Sequence, residues 1–482
     1  MTPKKRSEEP SVAALLTPDI LDLLETEPGS VAAETEDLHP ADLADVAEQI
    51  PRSQVPVLLA ALPVPRAAAV LEYLDEELRT ELLEQMSPEQ AATLVARMMP
   101  DDRADTLEEI DEERAEEIVE ALPAETRRVT QQLLLYEPET AGGLMTTEVV
   151  SVPEAFTVEE TLVRVREIAR SGRREAMNTV YAVDASGALK GVMSLRELLA
   201  SPEGARLADV AWPEVRHVNV GADREEVARF ISEYDLAAIP VVDDQQKLLG
   251  VVTFDDVIDV IQAEQTEDVQ KLGGMDALEE PYMQIGFWQV IQKRAPWLMV
   301  LLVGEMFTAS AMGYFEDEIA SALVLATFLP LIISAGGNSG SQGTSLIIRS
   351  LALREVSVRE WWRVFVRELP AGIVLGAILA VLGFFRVEGW QWMHDAQLHI
   401  GAVSFGHDYG PHSIPLALTV AVSLVGVVTF GALAGSMLPF LLRSLKLDPA
   451  SASAPFVATL VDVTGLVIFF NVALFFLRGT LL

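Results

Sequence analysis

The sequence predicts a multidomain membrane protein with an α-helical N-terminal superhelix, a tandem α/β repeat, a connecting helix and five transmembrane α-helices. Three observations carry this prediction. Acidic and apolar residues are concentrated in different parts of the chain, the middle contains a repeat with a constant offset, and five long apolar segments follow it.

Charge is distributed unevenly along the 482 residues. Residues 281–482 hold 11 of the 35 basic and 12 of the 72 acidic side chains, whereas residues 1–280 hold 24 and 60, a net charge of −36. Such an acidic region argues against nucleic acid as a partner. The lack of cysteine excludes disulfides, thiolate metal sites and a thiol nucleophile. No catalytic motif is recognisable, so we expect the protein not to be an enzyme.

The N-terminal region is predicted to be cytosolic and helical. Residues 1–10 are charged and no apolar signal segment follows them, which favours a multi-pass protein of the cytoplasmic (inner) membrane. Residues 1–30 are predicted to be flexible. Residues 31–143 are predicted to form an acidic helical superhelix, the N-domain, because proline recurs at the start of short segments with helical spacing.

Residues 144–262 contain the repeat. Val183–Leu199 (VDASGALKGVMSLRELL) corresponds to Val242–Ile258 (VDDQQKLLGVVTFDDVI) with every position offset by 59. Each copy reads as strand, polar turn and strand, with Ser194 or Thr253 starting a helix. The pattern resembles a tandem pair of CBS domains, which implies a regulatory module that can bind an adenine nucleotide.

A connecting helix and the membrane part follow. Residues 254–280 continue as an acidic helix, and residues 281–482 hold five apolar segments long enough to cross a bilayer. Basic residues precede the first span and fill the second and fourth connections, which predicts a cytosolic N-terminus and a C-terminus outside. The segments are roughly 296–315, 319–348, 364–386, 413–442 and 452–477.

Asp462 is the residue on which the functional interpretation depends. It lies near the centre of the last span, where a charged side chain costs at least about 2.5–3.5 kcal/mol on insertion scales. A cation ligand in a pore would explain it; a protonated or hydrogen-bonded structural acid is the alternative. Oxygen-only ligands suit a hard cation such as Mg²⁺.

The second span supplies a matching feature. Glycines, Asn338, Ser341 and Gln342 interrupt its apolar sequence at 330–343, which predicts backbone and amide oxygens close to an ion. Close helix packing through small residues is the alternative for the glycines, and Gly372/Gly376 and Gly431/Gly435 are further small-residue pairs. Glu305 in the first span could face water or a neighbouring polar group.

The sequence resembles the MgtE family of magnesium channels. The resemblance rests on the runs GGNSGSQGTSLIIRSLALRE, VATLVDVTGL and MLPFLLRSLKLDP, and on the order of the parts. It implies a homodimer with Mg²⁺ as substrate and effector, and a pore lined by Asp462, Gly337, Asn338, Ser341 and Ala458. Ser341 and Ala454 stand where the family pattern has asparagine, so each lacks an amide oxygen.

The resemblance also implies that cytosolic Mg²⁺ closes the channel. Acidic residues brought together repel one another, and divalent cations between them would favour a closed arrangement of the N-domain, the CBS pair and the connecting "plug" helix. A solvated surface is the alternative for any acidic run. The expected sensing residues are Asp101, Asp105, Gly143, Asp223, Glu225, Asp235, Asp256, Asp259, Glu264, Glu267, Asp268 and Asp448.

Three other functions are alternatives to a magnesium channel. The first alternative is a transporter that prefers another divalent cation, such as Co²⁺ or Mn²⁺, which uptake with competing cations would separate. An anion carrier would place cations deep in the membrane, and a sensor that transports nothing leaves Asp462 unexplained. Four histidines cluster in the predicted outer loop, and we interpret them as part of a variable polar loop, with a transition-metal entry site as the alternative. They are His394, His399, His407 and His412.

Overall fold

The computed structural model describes residues 12–170, 178–278, 282–283, 285–397, 399–400, 403–404 and 408–481. The chain divides into two units, one extending to Gln262 and the other beginning at Ala263.

Short helices make up the N-terminal part of the first unit. They are α1 (Val12–Thr26), α2 (Val31–Glu34), α3 (Pro40–Gln49), α4 (Val55–Ala61), α5 (Val64–Glu72), α6 (Glu76–Gln85), α7 (Pro88–Val95), α8 (Pro100–Glu108), α9 (Glu112–Ala121) and α10 (Ala124–Leu133). Proline occupies one of the first two positions of α3, α4, α5, α7 and α8. There its missing N–H costs no helical hydrogen bond. Alternate helices pack in series from α1 to α9 around one core, which confirms the predicted superhelix.

The start of the chain differs from the prediction. Residues 1–30 were expected to be flexible; residues 1–11 lie outside the described residues, and α1 occupies most of the range from 12 to 30. Ala13, Ile20 and Leu24 are buried in the core of the superhelix. Their spacing of seven and four residues puts them on one helical face, so burial of that face fixes the segment.

The tandem repeat folds as two three-stranded sheets with the same topology. The elements are β1 (Val150–Pro153), α11 (Val158–Arg170), β2 (Thr179–Val183), β3 (Leu189–Ser194), α12 (Leu195–Ala200), α13 (Leu207–Val210), β4 (Val218–Asn219), α14 (Arg224–Tyr234), β5 (Ala238–Val242), β6 (Leu248–Thr253) and α15 (Phe254–Leu272). In each sheet the first strand is parallel to the second, and the second is antiparallel to the third. Ser194 and Thr253 both pair with an acid three residues later at the start of the next helix.

The connecting helix α15 ends earlier than expected. Residues 254–280 were predicted to be helical, but the helix stops at Leu272. Gly273 and Gly274 follow it, and Gly274 has a φ of +77°. A glycine in this left-handed conformation ends a helix at little cost because it has no Cβ.

The second unit contains the five spans. Its elements are α16 (Phe287–Tyr314), α17 (Glu316–Ser321), α18 (Leu323–Ala326), α19 (Leu329–Ala352), α20 (Trp361–Asp395), β7 (His399–Ile400), β8 (Val403–Ser404), α21 (Ser413–Ser444) and α22 (Ala454–Leu477). The five candidate spans agree with the predicted number. Helix α21 packs against α19, α20 and α22, whereas α16 lies mainly on α22 and has no buried residue.

Glycines bring the backbones of α19 and α21 into contact. A Cβ on Gly431 or Gly435 would overlap the carbonyl oxygen of Gly336 or Gly340, respectively. Close packing, the alternative given for the glycines of the second span, applies to most of them, and α19 is continuous from Leu329 to Ala352. The helix keeps its internal hydrogen bonds in the membrane, and most of its glycines serve close packing instead.

We predict that Gly435→Ala destabilises the membrane unit. The new methyl would meet a backbone oxygen rather than a movable side chain, so α19 and α21 must separate, at a cost of about 1–3 kcal/mol. Thermal unfolding of the purified protein in detergent measures the effect. Gly389→Ala is the matched control, because nothing lies within 4 Å of its new Cβ. An unchanged unfolding midpoint for Gly435→Ala contradicts the argument.

Candidate functional site

A row of polar side chains follows one face of α19 within the second span. The row recurs at three- and four-residue intervals and consists of Ser334, Asn338, Ser341, Gln342 and Ser345. Asn338 and Gln342 are exposed on the protomer, while the Ser341 hydroxyl donates to the Gly337 carbonyl at 3.0 Å. Polar side chains at membrane depth favour a water-filled cavity or another polar surface over lipid.

Helix α22 lies beside this polar face. Gly337 is buried against Ala458, and a Cβ at Gly337 would lie 3.5 Å from the Ala458 Cβ. Asp462 follows Ala458 by one helical turn and is half-buried. The structure therefore brings three of the predicted pore positions together: Gly337, Ala458 and Asp462. Asn338 and Ser341 lie on the adjoining polar face of α19.

Asp462 has a carboxyl partner from another span. Its carboxyl group lies close to that of Glu305 of α16. The approach is possible because Gly304, the residue before Glu305, packs directly on Thr459 of α22. Two carboxylates in contact repel unless a proton or a cation lies between them. The pair thus concentrates negative charge at one level of an otherwise apolar bundle.

A first acidic surface, in the first unit, is formed by α8 and the start of α15. We call Asp102, Asp105, Asp255, Asp256 and Asp259 the α8–α15 surface. Desolvation, followed by the charges of neighbouring acids including Asp102 and Asp256, raises the pKa of Asp105 to about 7. The Asp105 side chain is nevertheless accessible to solvent, although protein surrounds it closely.

The other members of this surface show the same effect. Desolvation raises the pKa of Asp256 to about 6, against the opposing hydrogen bonds from Thr253. The pKa values of Asp102 and Asp259 are also raised, first by desolvation and then by the charge of Asp255. Arg79 lies close enough to lower the pKa of Asp102, but its guanidinium is bound to Glu109. The α8–α15 surface therefore favours protons or bound cations.

The remaining predicted residues of the first unit lie elsewhere. Asp101 was grouped with Asp105 and lies one turn before it on α8, but Asp101 is buried near Arg103. Asp223 caps the start of α14 by accepting from the Glu225 N–H at 2.8 Å. Asp235 lies at the opposite end of α14.

Gly143 belongs to a segment paired with the residues just before α14. The N–H groups of Ala141 and Gly142 donate to the carbonyls of Ala222 and Val220. A Cβ at Gly143 would overlap backbone atoms of Glu137 and Pro138, so this turn requires glycine.

A second acidic surface lies in the second unit, at the end of α15. We call Glu264, Glu267, Asp268 and Asp448 the α15–loop surface. Desolvation, and then the charges of Asp448 and Glu264, raise the pKa of Asp268. Lys271 Nζ lies 2.6 Å from Asp448 Oδ2 and also pairs with Glu267. Although desolvation opposes it, these hydrogen bonds raise the pKa of Lys271, so the ammonium stays charged.

No group of three or more His, Asp or Glu side chains in the described part of the chain has the arrangement of a ready-made metal site. Mg²⁺ needs no such cage, since it usually keeps several waters and takes one or two carboxylates. His394 lies 3.8 Å from Asp408, whereas His407 and the side chain of His399 fall outside the described residues.

The sequence matches three known domain families. Residues 329–472 match the MgtE divalent cation transporter family, residues 38–139 its intracellular N domain, and residues 207–263 the CBS domain. The chain is 41% identical to the magnesium transporter MgtE of Thermus thermophilus, over 91% of this chain and 93% of the relative. The chain belongs to the MgtE family.

Other members are similar over shorter stretches. The magnesium transporter MgtE of Enterococcus faecalis is 36% identical over 72% of this chain and 71% of its own. Among solved structures, the soluble part of a magnesium transporter is 31% identical, with a TM-score of 0.49 over 52% of this chain and 99% of the other. The cytosolic domain of a Mg²⁺ channel MgtE in complex with ATP is 36% identical, with a TM-score of 0.48 over 51% and 100%.

Three residues of this MgtE chain gain importance only from the structure. Glu305 contacts Asp462 from a different helix, Glu72 adds a carboxyl near Asp102, and Lys271 neutralises part of the α15–loop surface. Desolvation and then Asp102 raise the pKa of Glu72 to about 7. Of these three residues, only Glu305 stood out in the sequence, because it is an acid within the apolar first span. Nothing in the pattern around Glu72 or Lys271 sets them apart from other surface charges.

We predict that the packing of α8 on α15 weakens as the pH rises in the absence of divalent cations. The raised pKa of Asp105 means that its protonated form favours the packed state, so this contribution is present below about pH 4 and is lost towards pH 7. Hydrogen-exchange protection of residues 100–108 and 254–262, corrected for intrinsic rates, should fall roughly three- to tenfold between pH 5.5 and 7.5.

Asp105→Asn removes the charge and should flatten this dependence. Adding Mg²⁺ at pH 7.5 should restore the protection of the unmodified protein. Protection that rises with pH in metal-free buffer contradicts the assignment.

Proposed function

We propose that this protein is a magnesium channel or transporter of the cytoplasmic membrane, closed by cytosolic Mg²⁺. The carboxyl pair of Asp462 and Glu305 beside the polar face of α19 is the observation that carries the proposal. Negative side chains at membrane depth are stabilised by a cation that passes or binds beside them. The relatives named magnesium transporters support Mg²⁺ as the ion.

The chemistry of the pathway favours a hard cation. Asp462, Glu305, Asn338 and Gln342 offer oxygen ligands, and the sequence has no cysteine. Hydrated Mg²⁺ fits an arrangement with few carboxylates and neutral oxygens around water. A transporter preferring Co²⁺ or Mn²⁺ is the second candidate, because Ser341 and Ala454 each lack the amide oxygen of the family pattern and so change the oxygen groups available to the ion.

A homodimer would give the pathway its second wall. On a single protomer, Asn338 and Gln342 are exposed and α16 buries no residue, so these surfaces need lipid, water or another chain. A second copy meeting along α19 and α22 would surround Asp462 with polar groups on both sides. The distribution of Lys and Arg between the connections supports a cytosolic N-terminus and an external C-terminus.

The cytosolic part acts as the sensor in this proposal. Divalent cations at the α8–α15 surface relieve the repulsion between Asp105 and Asp256 and stabilise the packed arrangement. Cations at the α15–loop surface act on the short connection that leads into α22, the helix of Asp462. Binding of an adenine nucleotide by the CBS pair stays a prediction.

We predict that Asp462→Ala abolishes Mg²⁺ transport while the protein still assembles. The substitution removes the carboxylate from the last span without changing the helix, since alanine is a strong helix former. Growth of a bacterium deficient in magnesium uptake, at limiting Mg²⁺, measures the loss. Glu368→Gln, which changes an acid at the inner end of α20, is the control and should support growth. Normal growth with Asp462→Ala refutes the pore assignment.

We further predict that millimolar Mg²⁺ protects the cytosolic part from proteolysis. Divalent cations bridge the acidic surfaces, whereas Na⁺ only screens them. Full-length protein treated with trypsin should lose residues 31–275 several-fold more slowly in MgCl₂ than in NaCl of equal ionic strength. Equal rates of cleavage in the two salts would remove the sensing part of the proposal.

A further inference from the structure

Lys271 occupies a position where the surrounding charge is negative. Glu264, Glu267, Asp268 and Lys271 recur at intervals of three and four residues, so they share one face of α15. Asp448, from the loop before α22, adds a fourth carboxylate next to this face. Lys271 contacts two of the four, through Glu267 and Asp448.

The contact with Asp448 is built into the loop. Asp448 Oδ1 accepts from the Ala450 N–H at 2.8 Å, which holds the carboxylate at the start of the 3₁₀ turn Pro449–Ser451. Its second oxygen, Oδ2, is then directed to Lys271 Nζ at 2.6 Å. One carboxylate therefore serves the loop and the connecting helix together.

The same loop sets the start of the helix that carries Asp462. Ser453 caps α22 by accepting from the Phe456 N–H at 3.3 Å, and it also accepts from Trp297 Nε1 at 3.1 Å. Only four residues lie between Asp448 and Ser453. A change in how α15 packs on Asp448 is thus transmitted over a short distance to the beginning of α22.

We propose that the Lys271 ammonium is a resident cation of the α15–loop surface, which replaces one divalent ion when α15 packs against the loop before α22. The inference rests on the proposed closure by cytosolic Mg²⁺. Because Lys271 already supplies one positive charge, the packed state needs fewer bound divalent ions than the four carboxylates alone would need.

Lys271→Met tests this, because methionine keeps the length of the side chain and removes the charge. Full-length protein in detergent is digested with trypsin over a MgCl₂ titration at constant ionic strength. The variant should need roughly three- to tenfold more Mg²⁺ for half-maximal protection. Its dependence on Mg²⁺ should also be steeper, since one more ion binds on packing, and it should reach the same protection at saturation.

Two control variants accompany Lys271→Met. Lys271→Arg keeps the charge and should titrate like the unmodified protein, and Lys247→Met removes an exposed lysine from the second CBS copy and should have no effect. The inference is overturned by an unchanged midpoint, by a raised midpoint without a steeper curve, or by protection that saturating Mg²⁺ does not restore. A merely structural role for Lys271 produces the last two outcomes.

The unmodified protein separates this inference from the proposed function. If it gains no Mg²⁺-specific protection, closure by Mg²⁺ is refuted, and the resident-cation role falls with it before any variant is compared. If it gains protection and Lys271→Met titrates identically, only the role of Lys271 is refuted.

Discussion

Repulsion between carboxylates is the constraint on which the behaviour of this protein depends. The fold brings Asp105 near Asp256, Asp268 near Asp448, and Asp462 into contact with Glu305. Like charges this close are tolerated only with a proton, a bound cation or a basic side chain nearby. At the α15–loop surface the basic side chain is Lys271. The same rule thus applies to both acidic surfaces and to the carboxyl pair of the membrane unit.

Helix packing in the membrane decides where the deep charge lies. Gly336 and Gly340 of α19 meet Gly431 and Gly435 of α21 backbone to backbone, so α19 is held with its small residues inward. Because the glycines of α19 face α21, Asn338 and Gln342 lie on the exposed side of the helix. Packing of α16 on α22 through Gly304 then places Glu305 beside Asp462. Close contacts between small residues therefore place polar side chains and two carboxyl groups on helices that are mostly apolar.

Much of the architecture could be predicted because its signals are local. The five spans follow from runs of apolar residues, and the two CBS copies from an offset that the paired strands keep. The errors arose where a local pattern has two outcomes. Glycines in the second span were consistent with backbone oxygens close to an ion or with close packing, and most of them pack against α21 and α22. Asp101 and Asp105 lie one turn apart on α8, yet Asp101 is buried near Arg103 and Asp105 is exposed, which depends on what packs along the helix.

By itself, the sequence determined the order of the domains, the number of spans and the presence of one acid in the middle of the last span, because composition and periodicity act over neighbouring residues. Only the tertiary structure decided which charges meet. Glu305 and Asp462 are separated by more than 150 residues, as are Lys271 and Asp448, and no local pattern links such pairs. Their contacts depend on how helices pack, and packing is set by side-chain shape along whole helices rather than by the sequence around each charge.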